Sequence, residues 1–337
     1  MTTAETRRIP GLAADGGEWM TGTRYLVADI GATNARFGLL DATGRLLHTR
    51  TLPCAGYPTL QAAGLAYLAA AQPDTHPVEG AIDIAGPVTG DVLTMTNHPW
   101  TFSVKGTRDA LGLRRLEVVN DFTAVAMSIP LLTEADRLQI GDGSPVAGEV
   151  IGVIGPGTGL GVSGLIHGPG GWTPLAGEGG HVTMAPVSDR EGAVLDLLRK
   201  KFNHVSAERV ISGQGLVNLY EALSLLDNRE PEALEPADIA GRGLDGTDKI
   251  CVDALEMFCA MLGTVAGNLA LTLGSRGGVY IAGGIVPRLG SFFTHSRFRK
   301  RFVEKGRLRD YLGPIPTYVV THELPAFLGL MAVLAKG

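Results

Sequence analysis

The sequence has few cysteines and no block of basic residues, and both absences exclude classes of protein. Only three of its 337 residues are cysteine, Cys54, Cys251 and Cys259. Their spacing gives neither a C-x-x-C pair nor a disulfide framework, so we expect reduced, structural thiols. The formal net charge is −5 and no block of Lys and Arg longer than three residues occurs, so the charge pattern gives no sign of nucleic-acid binding.

Long apolar runs suited to a membrane or a signal peptide are also missing. Residues 1–23 contain no apolar stretch and are predicted to form a disordered tail. From Val150 to Gly177 there is no Asp, Glu, Lys or Arg, but the many glycines exclude a lipid-facing helix. The second uncharged stretch, Met257 to Ser275, contains polar residues and is predicted to be a buried core helix. We therefore expect a cytoplasmic protein that does not enter a membrane.

The order of strand-like and helix-like segments predicts an α/β fold with two related halves. Short apolar runs that end at glycine or polar residues predict strands at Tyr25–Ile30, Arg36–Leu40, Leu46–Leu52, Ala81–Ala85, Leu116–Asn120, Val150–Ile154, Val162–Ile166, Gly278–Ala282 and Tyr318–Thr321. Longer segments rich in helix formers predict helices at Thr59–Ala71, Phe122–Ile129, Glu191–Phe202, Leu216–Leu226, Lys249–Leu273 and Ala326–Ala335.

The two halves share a glycine turn with a threonine between two strands. The segments are "ADIGATNARFGLL" (28–40) and "VIGPGTGLGVSGLI" (153–166). Glycine turns let successive backbone N–H groups converge on an anion without a Cβ in the way. Two ordinary hairpins are the alternative, but the repetition and the aspartate beside the first turn favour a phosphate clamp.

Other phosphate motifs are absent or lie in the wrong context. No G-x-x-x-x-G-K-[ST] occurs, which disfavours a Walker-type NTPase. The literal G-x-G-x-x-G at residues 241–246 follows the helix-like stretch "EPADIA" and not a strand. In "GGVYIAGGIVPR" (277–288), Gly283 and Gly284 follow a strand pattern and would let a nucleoside approach the backbone, although a tight turn before a helix has the same appearance.

Two groups of polar residues stand at the ends of apolar segments. Asn120 and Asp121 end a predicted strand, where open α/β sheets bind ligands. The position also allows Asp121 to be a helix N-cap, but a cap explains one side chain and not the Asn-Asp pair. Glu178 and His181 follow the uncharged segment in "LAGEGGHV". The intervening glycines are predicted to let both side chains face one ligand without forming a helical turn. A lone His181 would more often be a core histidine, but its pairing with Glu178 favours a site.

Six motifs in this order resemble the signatures of bacterial-type glucokinases, sugar kinases with the actin-like ATPase fold. They are "DIGATN", "NDFTAVAMSIP", "GPGTGLGV", "GEGGHV", "SAERVISGQGLVNLYEAL" and "GGVYIAGGIVPR". The similarity spans about residues 24–335. It implies an α/β fold of two ribonuclease-H-like domains with an interdomain cleft. Residues 24–131 and 322–337 would form the small domain, and residues 132–321 the large domain with helical additions.

The resemblance also implies a reaction and its residues. The reaction is ATP-dependent phosphorylation of D-glucose at the 6-hydroxyl, with Asp121 as catalytic base. The implied sugar-binding residues are Asn120, Asp121, Glu178, His181 and Glu208, whose oxygens and nitrogens can pair with sugar hydroxyls. The implied ATP-binding residues are Ala28, Asp29, Ile30, Gly31, Ala32, Thr33, Gly157, Thr158, Gly283 and Gly284. Asp29 would hold Mg²⁺ through water, and the family implies a homodimer.

The sequence departs from the family pattern at Ala32, where a second glycine is usual. If that position needs a positive φ, alanine costs on the order of 1 kcal/mol. The zinc-binding cysteine motif and the N-terminal DNA-binding helices of the related repressor branch are absent, which argues against a transcriptional regulator. Two alternatives remain open: a kinase for mannose, fructose or an amino sugar, and a non-catalytic sugar sensor.

Overall fold

The computed structural model describes residues 22–96 and 98–336 and divides them into two compact units. Unit 1 ends at Leu132 and resumes at Glu323, and unit 2 extends from Thr133 to His322. Residues 1–21 of the predicted tail lie outside the described residues. Thr23 already belongs to the first strand.

Unit 1 contains a five-stranded sheet and a separate two-stranded hairpin. Its strands are β1 (Thr23–Ile30), β2 (Asn34–Asp41), β3 (Leu46–Pro53), β4 (Glu79–Ile84), β5 (Val92–Thr94), β6 (Thr101–Ser103) and β7 (Arg115–Asn120). The sheet has the order β3-β2-β1-β4-β7. Strands β1, β2 and β3 pair antiparallel, whereas β1, β4 and β7 pair parallel. The carboxyl ends of these three parallel strands therefore lie at one edge of the sheet.

The first helices of unit 1 begin at side-chain caps. They are α1 (Leu60–Ala71), α2 (Val104–Ala110) and α3 (Asp121–Ser128). Thr59 accepts a hydrogen bond from the Ala62 N–H at 3.1 Å and so satisfies a free donor at the start of α1. Pro130 lies in the 3₁₀ turn Ile129–Leu131 that follows α3.

Unit 2 repeats the strand order of unit 1 and adds one strand. Its strands are β8 (Arg137–Ile140), β9 (Ile151–Pro156), β10 (Leu160–Gly168), β11 (Gly171–Gly177), β12 (Val279–Ile281) and β13 (Thr317–Val320). The order is β11-β10-β9-β12-β13-β8. As in unit 1, three strands (β9, β10 and β11) pair antiparallel, and β12 and β13 continue the sheet in parallel with β9. The repeat inferred from the two glycine turns is thus a repeat of a whole sheet.

The helices of unit 2 include one long buried helix against which several of the others pack. They are α4 (Asp189–Lys201), α5 (Gly213–Leu226), α6 (Pro236–Leu244), α7 (Lys249–Leu273), α8 (Val286–Leu289), α9 (Ser291–His295), α10 (Phe298–Val303) and α11 (Arg309–Leu312). Among the described residues, only α7 is long and apolar enough to cross a membrane, and 78% of its most apolar window is buried. This confirms the predicted core helix. Gly241 and Gly243 lie inside α6, so the literal G-x-G-x-x-G is not a phosphate loop.

The last helix, α12 (Pro325–Leu334), returns to unit 1 and packs on α3. Gly329 makes this packing possible, because a Cβ there would collide with the Ala124 carbonyl oxygen. All three cysteines are free and buried, as the sequence predicts.

Candidate active site

Parallel pairing brings polar side chains together at the carboxyl edge of the unit 1 sheet. Asp29, next to last in β1, is the register partner of Asp83, next to last in β4. Asn120, the last residue of β7, is the register partner of Ile84 in β4. Asp121 follows at once as the first residue of α3. Three carboxyl groups therefore share this edge.

Asp83 is the member of this group that the sequence analysis missed. Its side chain is fully buried, and neither carboxyl oxygen has a hydrogen-bond partner among the described residues. Burial, followed by the negative charges of Asp29 and Asp121, raises the pKa of Asp83 well above its ordinary value. Two ionised carboxylates have no donor between them, but a protonated Asp83 is able to donate to Asp29.

Asp29 lies between this buried acid and a cation. Its Oδ2 is 3.8 Å from the Arg36 Nη1, and its side chain is 32% exposed. Burial raises the pKa of Asp29, while the charge of Arg36 opposes that shift. No group of three or more His, Cys, Asp or Glu within the described ranges is arranged to hold a metal directly. A partly exposed carboxylate among hard oxygen donors fits the predicted contact with Mg²⁺ through water.

Asn120, and not Asp121, is the N-cap of α3. The Asn120 Oδ1 accepts from the Phe122 and Thr123 N–H groups at 2.9 and 3.2 Å, and its Nδ2 donates to the Gly86 carbonyl at 3.1 Å. The alternative interpretation of Asp121 as the cap is therefore wrong. One oxygen of Asp121 accepts from the Phe122 N–H at 2.8 Å. Asn120 holds the strand end in place, and Asp121 is half-buried beside it.

The first predicted phosphate loop is the turn between β1 and β2. Ala28 and Ile30 are fully buried, so their side chains belong to the core, and only their backbone groups are available to a ligand. Ala32 does not have a positive φ, so the backbone strain considered for this alanine does not arise. Thr33 is exposed, and its carbonyl accepts from the Cys54 N–H at 2.8 Å.

The second predicted phosphate loop is the matching turn between β9 and β10 in unit 2. The Gly157 N–H donates to the Gly159 carbonyl at 2.8 Å, and the Gly157 carbonyl accepts from the Gly213 N–H at 2.9 Å. A Cβ on Gly157 would meet open space, and Thr158 is exposed. Both predicted loops are thus hairpin turns with an accessible threonine.

Glu178 precedes one turn of 3₁₀ helix, Gly179–His181, and His181 is its last residue. The prediction that the two glycines avoid a helical turn is wrong, because the His181 N–H donates to the Glu178 carbonyl at 3.0 Å. The glycines serve close packing instead: a Cβ on Gly180 would collide with the Leu160 carbonyl oxygen. Glu178 and His181 are both exposed, so His181 is not a core histidine.

Glu208 lies in a 3₁₀ turn, Ala207–Arg209, that approaches the start of β10. Its Oε2 accepts from the Leu160 N–H at 2.9 Å. A Cβ on Gly159 would lie 2.5 Å from this oxygen, so the glycine leaves room for the carboxylate in this position. His181 and Glu208 line one cavity of about 440 Å³, so unit 2 brings these two predicted sugar-binding residues together.

Gly283 and Gly284 follow β12, and the backbone geometry and the space around a Cβ differ between them. Gly283 has a φ of +84°, and a Cβ there would collide with the Pro156 carbonyl oxygen. Gly284 has no positive φ and no atom within 4 Å of a Cβ placed on it. Gly283 therefore shapes the turn, while Gly284 leaves open surface beside it.

We predict that Asp83→Asn stabilises the protein at neutral pH. The raised pKa means that the folded state favours the neutral form of Asp83. Below the ordinary pKa of 3.8 the acid is neutral in both the folded and the unfolded state, so it costs no stability. As the pH rises above 3.8, the unfolded state ionises first and the free energy of unfolding falls. The gain in the midpoint of thermal unfolding should be largest near pH 7 and shrink towards pH 4. Asp74→Asn, at an exposed aspartate of the same unit, is the control. A gain for Asp83→Asn that does not vary with pH would contradict the assignment.

Comparison with known proteins identifies the family of this chain. The family model described as glucokinase matches residues 26–337. The glucokinase of Paramagnetospirillum magneticum is 52% identical over 92% of this chain and 97% of its own length. The solved glucokinase from an Antarctic psychrotroph is 37% identical, with a TM-score of 0.84 over 93% of this chain and 99% of its own.

A more distant solved structure shows that the same fold occurs outside these relatives. A glucokinase of the ROK family from Streptomyces griseus, solved in complex with glucose and AMPPNP, has a TM-score of 0.63 at 21% identity. It covers 94% of this chain and 99% of its own. Together with the six motifs and the repeated sheets, the match to the family model shows that this chain belongs to the glucokinase family.

Proposed function

We propose that this member of the glucokinase family transfers the γ-phosphoryl group of ATP to the 6-hydroxyl of D-glucose, with Asp121 as the catalytic base. Family membership supports the reaction. The observation that supports the residue is the position of Asp121, half-buried at the first turn of α3 and next to the carboxyl end of β7. Open α/β sheets bind ligands at this edge.

The chemistry needs one proton acceptor and precise positioning. The Asp121 carboxylate accepts the proton of the 6-hydroxyl while that oxygen forms its bond to phosphorus. The bond between the γ-phosphorus and the bridging oxygen breaks, and ADP leaves. Because the transition state of phosphoryl transfer is loose, placement of the groups and neutralisation of charge supply most of the rate.

We propose that Asn120 and Asp121 in unit 1 and Glu178, His181 and Glu208 in unit 2 bind the sugar. Carboxylate oxygens accept from hydroxyls, and a neutral imidazole both accepts and donates. The Asn120 Oδ1 already accepts two backbone N–H groups, so Asn120 offers the sugar its remaining Nδ2 hydrogen. A sugar without a matching hydroxyl leaves such a group unsatisfied, at about 1–3 kcal/mol each.

For ATP we propose the two hairpin turns, with Thr33 and Thr158 at the phosphates and Gly284 beside the nucleoside. The complex of the Streptomyces griseus glucokinase with AMPPNP supports nucleotide binding by this fold. Asp29 would hold Mg²⁺ through water, and the ion would supply positive charge to the ATP phosphates. Arg36 keeps part of the charge of Asp29 balanced.

We further propose a cytoplasmic homodimer, as the resemblance to bacterial glucokinases implies. Size-exclusion chromatography with light scattering measures the assembly. A mass of twice the 35.3 kDa chain is the expected result, and a monomer at all concentrations would contradict it.

We predict that Asp121→Asn abolishes most turnover and leaves glucose binding largely intact. The amide keeps the size of the side chain but cannot accept the proton, and loss of a general base costs about 100-fold or more in kcat. A coupled assay of glucose 6-phosphate formation measures kcat, and isothermal titration calorimetry measures the affinity for glucose. Asp109→Asn, at an exposed aspartate of unit 1, is the control. Undiminished turnover would remove Asp121 from this role.

The neighbouring glycines allow a matched test of the nucleotide site. Gly284→Ala places a methyl group in open space, so the melting temperature should hold, while the KM for ATP rises about tenfold through overpacking against the nucleoside. Gly283→Ala forces alanine into a positive φ against the Pro156 carbonyl and should lower the melting temperature. An unchanged KM for ATP in Gly284→Ala would place the nucleoside elsewhere.

A further inference from the structure

The cavity of about 440 Å³ in unit 2 is lined by more than the proposed sugar-binding residues. Its volume falls in the range of small-molecule sites. His181 and Glu208 form one part of its wall. Other side chains in the wall have no part in the proposed sugar contacts, among them Lys201, Phe202, His204 and Arg209. This second group carries positive charge.

Arg209 is the residue of this wall that is ready to bind an anion. Its guanidinium carbon lies 4.2 Å from the centre of the Phe202 ring. Within the described part of the chain, the guanidinium contacts this ring and forms no ion pair, and Arg209 is exposed. Stacking on a ring fixes the plane of the guanidinium and leaves the N–H groups at its edge free. That fork matches the oxygens of a phosphate.

The other charged groups of the wall are already engaged. The Lys201 Nζ donates to Glu221 at 2.8 Å and to the Asn218 Oδ1 at 3.3 Å, so its charge is balanced. The Glu208 Oε2 accepts a backbone N–H at 2.9 Å. The His204 Nε2 lies 2.9 Å from the Thr183 hydroxyl. Arg209 is therefore the cation of this wall without a partner of opposite charge.

We propose that this cavity binds a hexose phosphate, with the sugar on His181 and Glu208 and the phosphate on Arg209. The proposal rests on the proposed function, because it takes His181 and Glu208 as sugar-binding residues. A phosphate monoester carries close to two negative charges at neutral pH, which suits a stacked guanidinium. The ester competes with glucose for the shared residues and so inhibits the enzyme. Its source is either the product, phosphorylated at carbon 6, or a hexose phosphorylated at carbon 1.

Calorimetric titration of the full chain with four probes tests the proposal. They are glucose, glucose 6-phosphate, glucose 1-phosphate and inorganic phosphate. We expect at least one ester to bind about tenfold more tightly than glucose, since hydrogen bonds to a charged group supply that difference. Inorganic phosphate alone should bind more weakly than that ester. Comparing the affinities for glucose 6-phosphate and glucose 1-phosphate shows which phosphorylated carbon the cavity accepts.

Three variants assign the effect to Arg209. Arg209→Gln should reduce the affinity for the ester to that for glucose while leaving the affinity for glucose unchanged. Phe202→Leu keeps the positive charges but removes the ring on which Arg209 stacks. This variant should therefore bind the ester less tightly than the unaltered protein does, but still more tightly than glucose. Arg307→Gln makes the same charge change at an exposed arginine elsewhere in unit 2 and should change nothing.

Three results would overturn the proposal. They are esters that bind no more tightly than glucose, an ester advantage that survives Arg209→Gln, and inorganic phosphate that binds as tightly as the ester. These results are distinguishable from failure of the proposed function. If the proposed function failed, glucose itself would neither bind nor be phosphorylated. If only the phosphate subsite failed, glucose would still bind and would still be phosphorylated.

Discussion

Parallel pairing of β1, β4 and β7 is the constraint on which the active site depends. The register sets Asp29 beside Asp83 and the end of β4 beside the end of β7, so three carboxyl groups gather at one edge. Neighbouring negative charges repel each other, and two features of the structure reduce this repulsion. Asp83 is buried and its pKa is raised, which removes one charge, and Arg36 lies near Asp29. Asp121, half-buried at the start of α3, is the third carboxyl group of this edge.

The same strand order recurs in unit 2. Its first hairpin repeats the turn with an accessible threonine, and the segments after β11 fold closely against β10. Gly180 is required there because the Leu160 carbonyl comes too near for a Cβ, and Gly159 leaves room for the Glu208 carboxylate. Small residues thus let acidic and imidazole side chains approach one cavity. One sheet plan provides a carboxylate edge in unit 1 and a polar cavity in unit 2.

Much of this could be predicted from the sequence, because the signals were local. Strand–turn–strand patterns predict both hairpins, and the bounds Lys249–Leu273 predicted for the long helix match α7. The motifs carry the family resemblance, which the match over residues 26–337 confirms. The roles of the individual site residues, and Mg²⁺ at Asp29, stay predictions.

What the sequence did not reveal depends on tertiary contacts. Asp83 was overlooked inside the apolar strand "AIDIAG", where one acid in a buried run was the available signal. Its significance arises only from its register beside Asp29. The sequence offered Asp121 as a possible cap of α3, whereas the backbone geometry assigns the cap to Asn120. The glycines after Glu178 suggested freedom of the backbone, whereas their actual reason is the approach of β10.

The most direct test of this account is a crystal structure of the protein with glucose bound. We expect the Asp121 carboxylate to lie within hydrogen-bond distance of the sugar's 6-hydroxyl, about 2.6–3.2 Å between oxygens. Glucose bound with its 6-hydroxyl turned away from Asp121, towards another acidic side chain or towards solvent, would contradict the account.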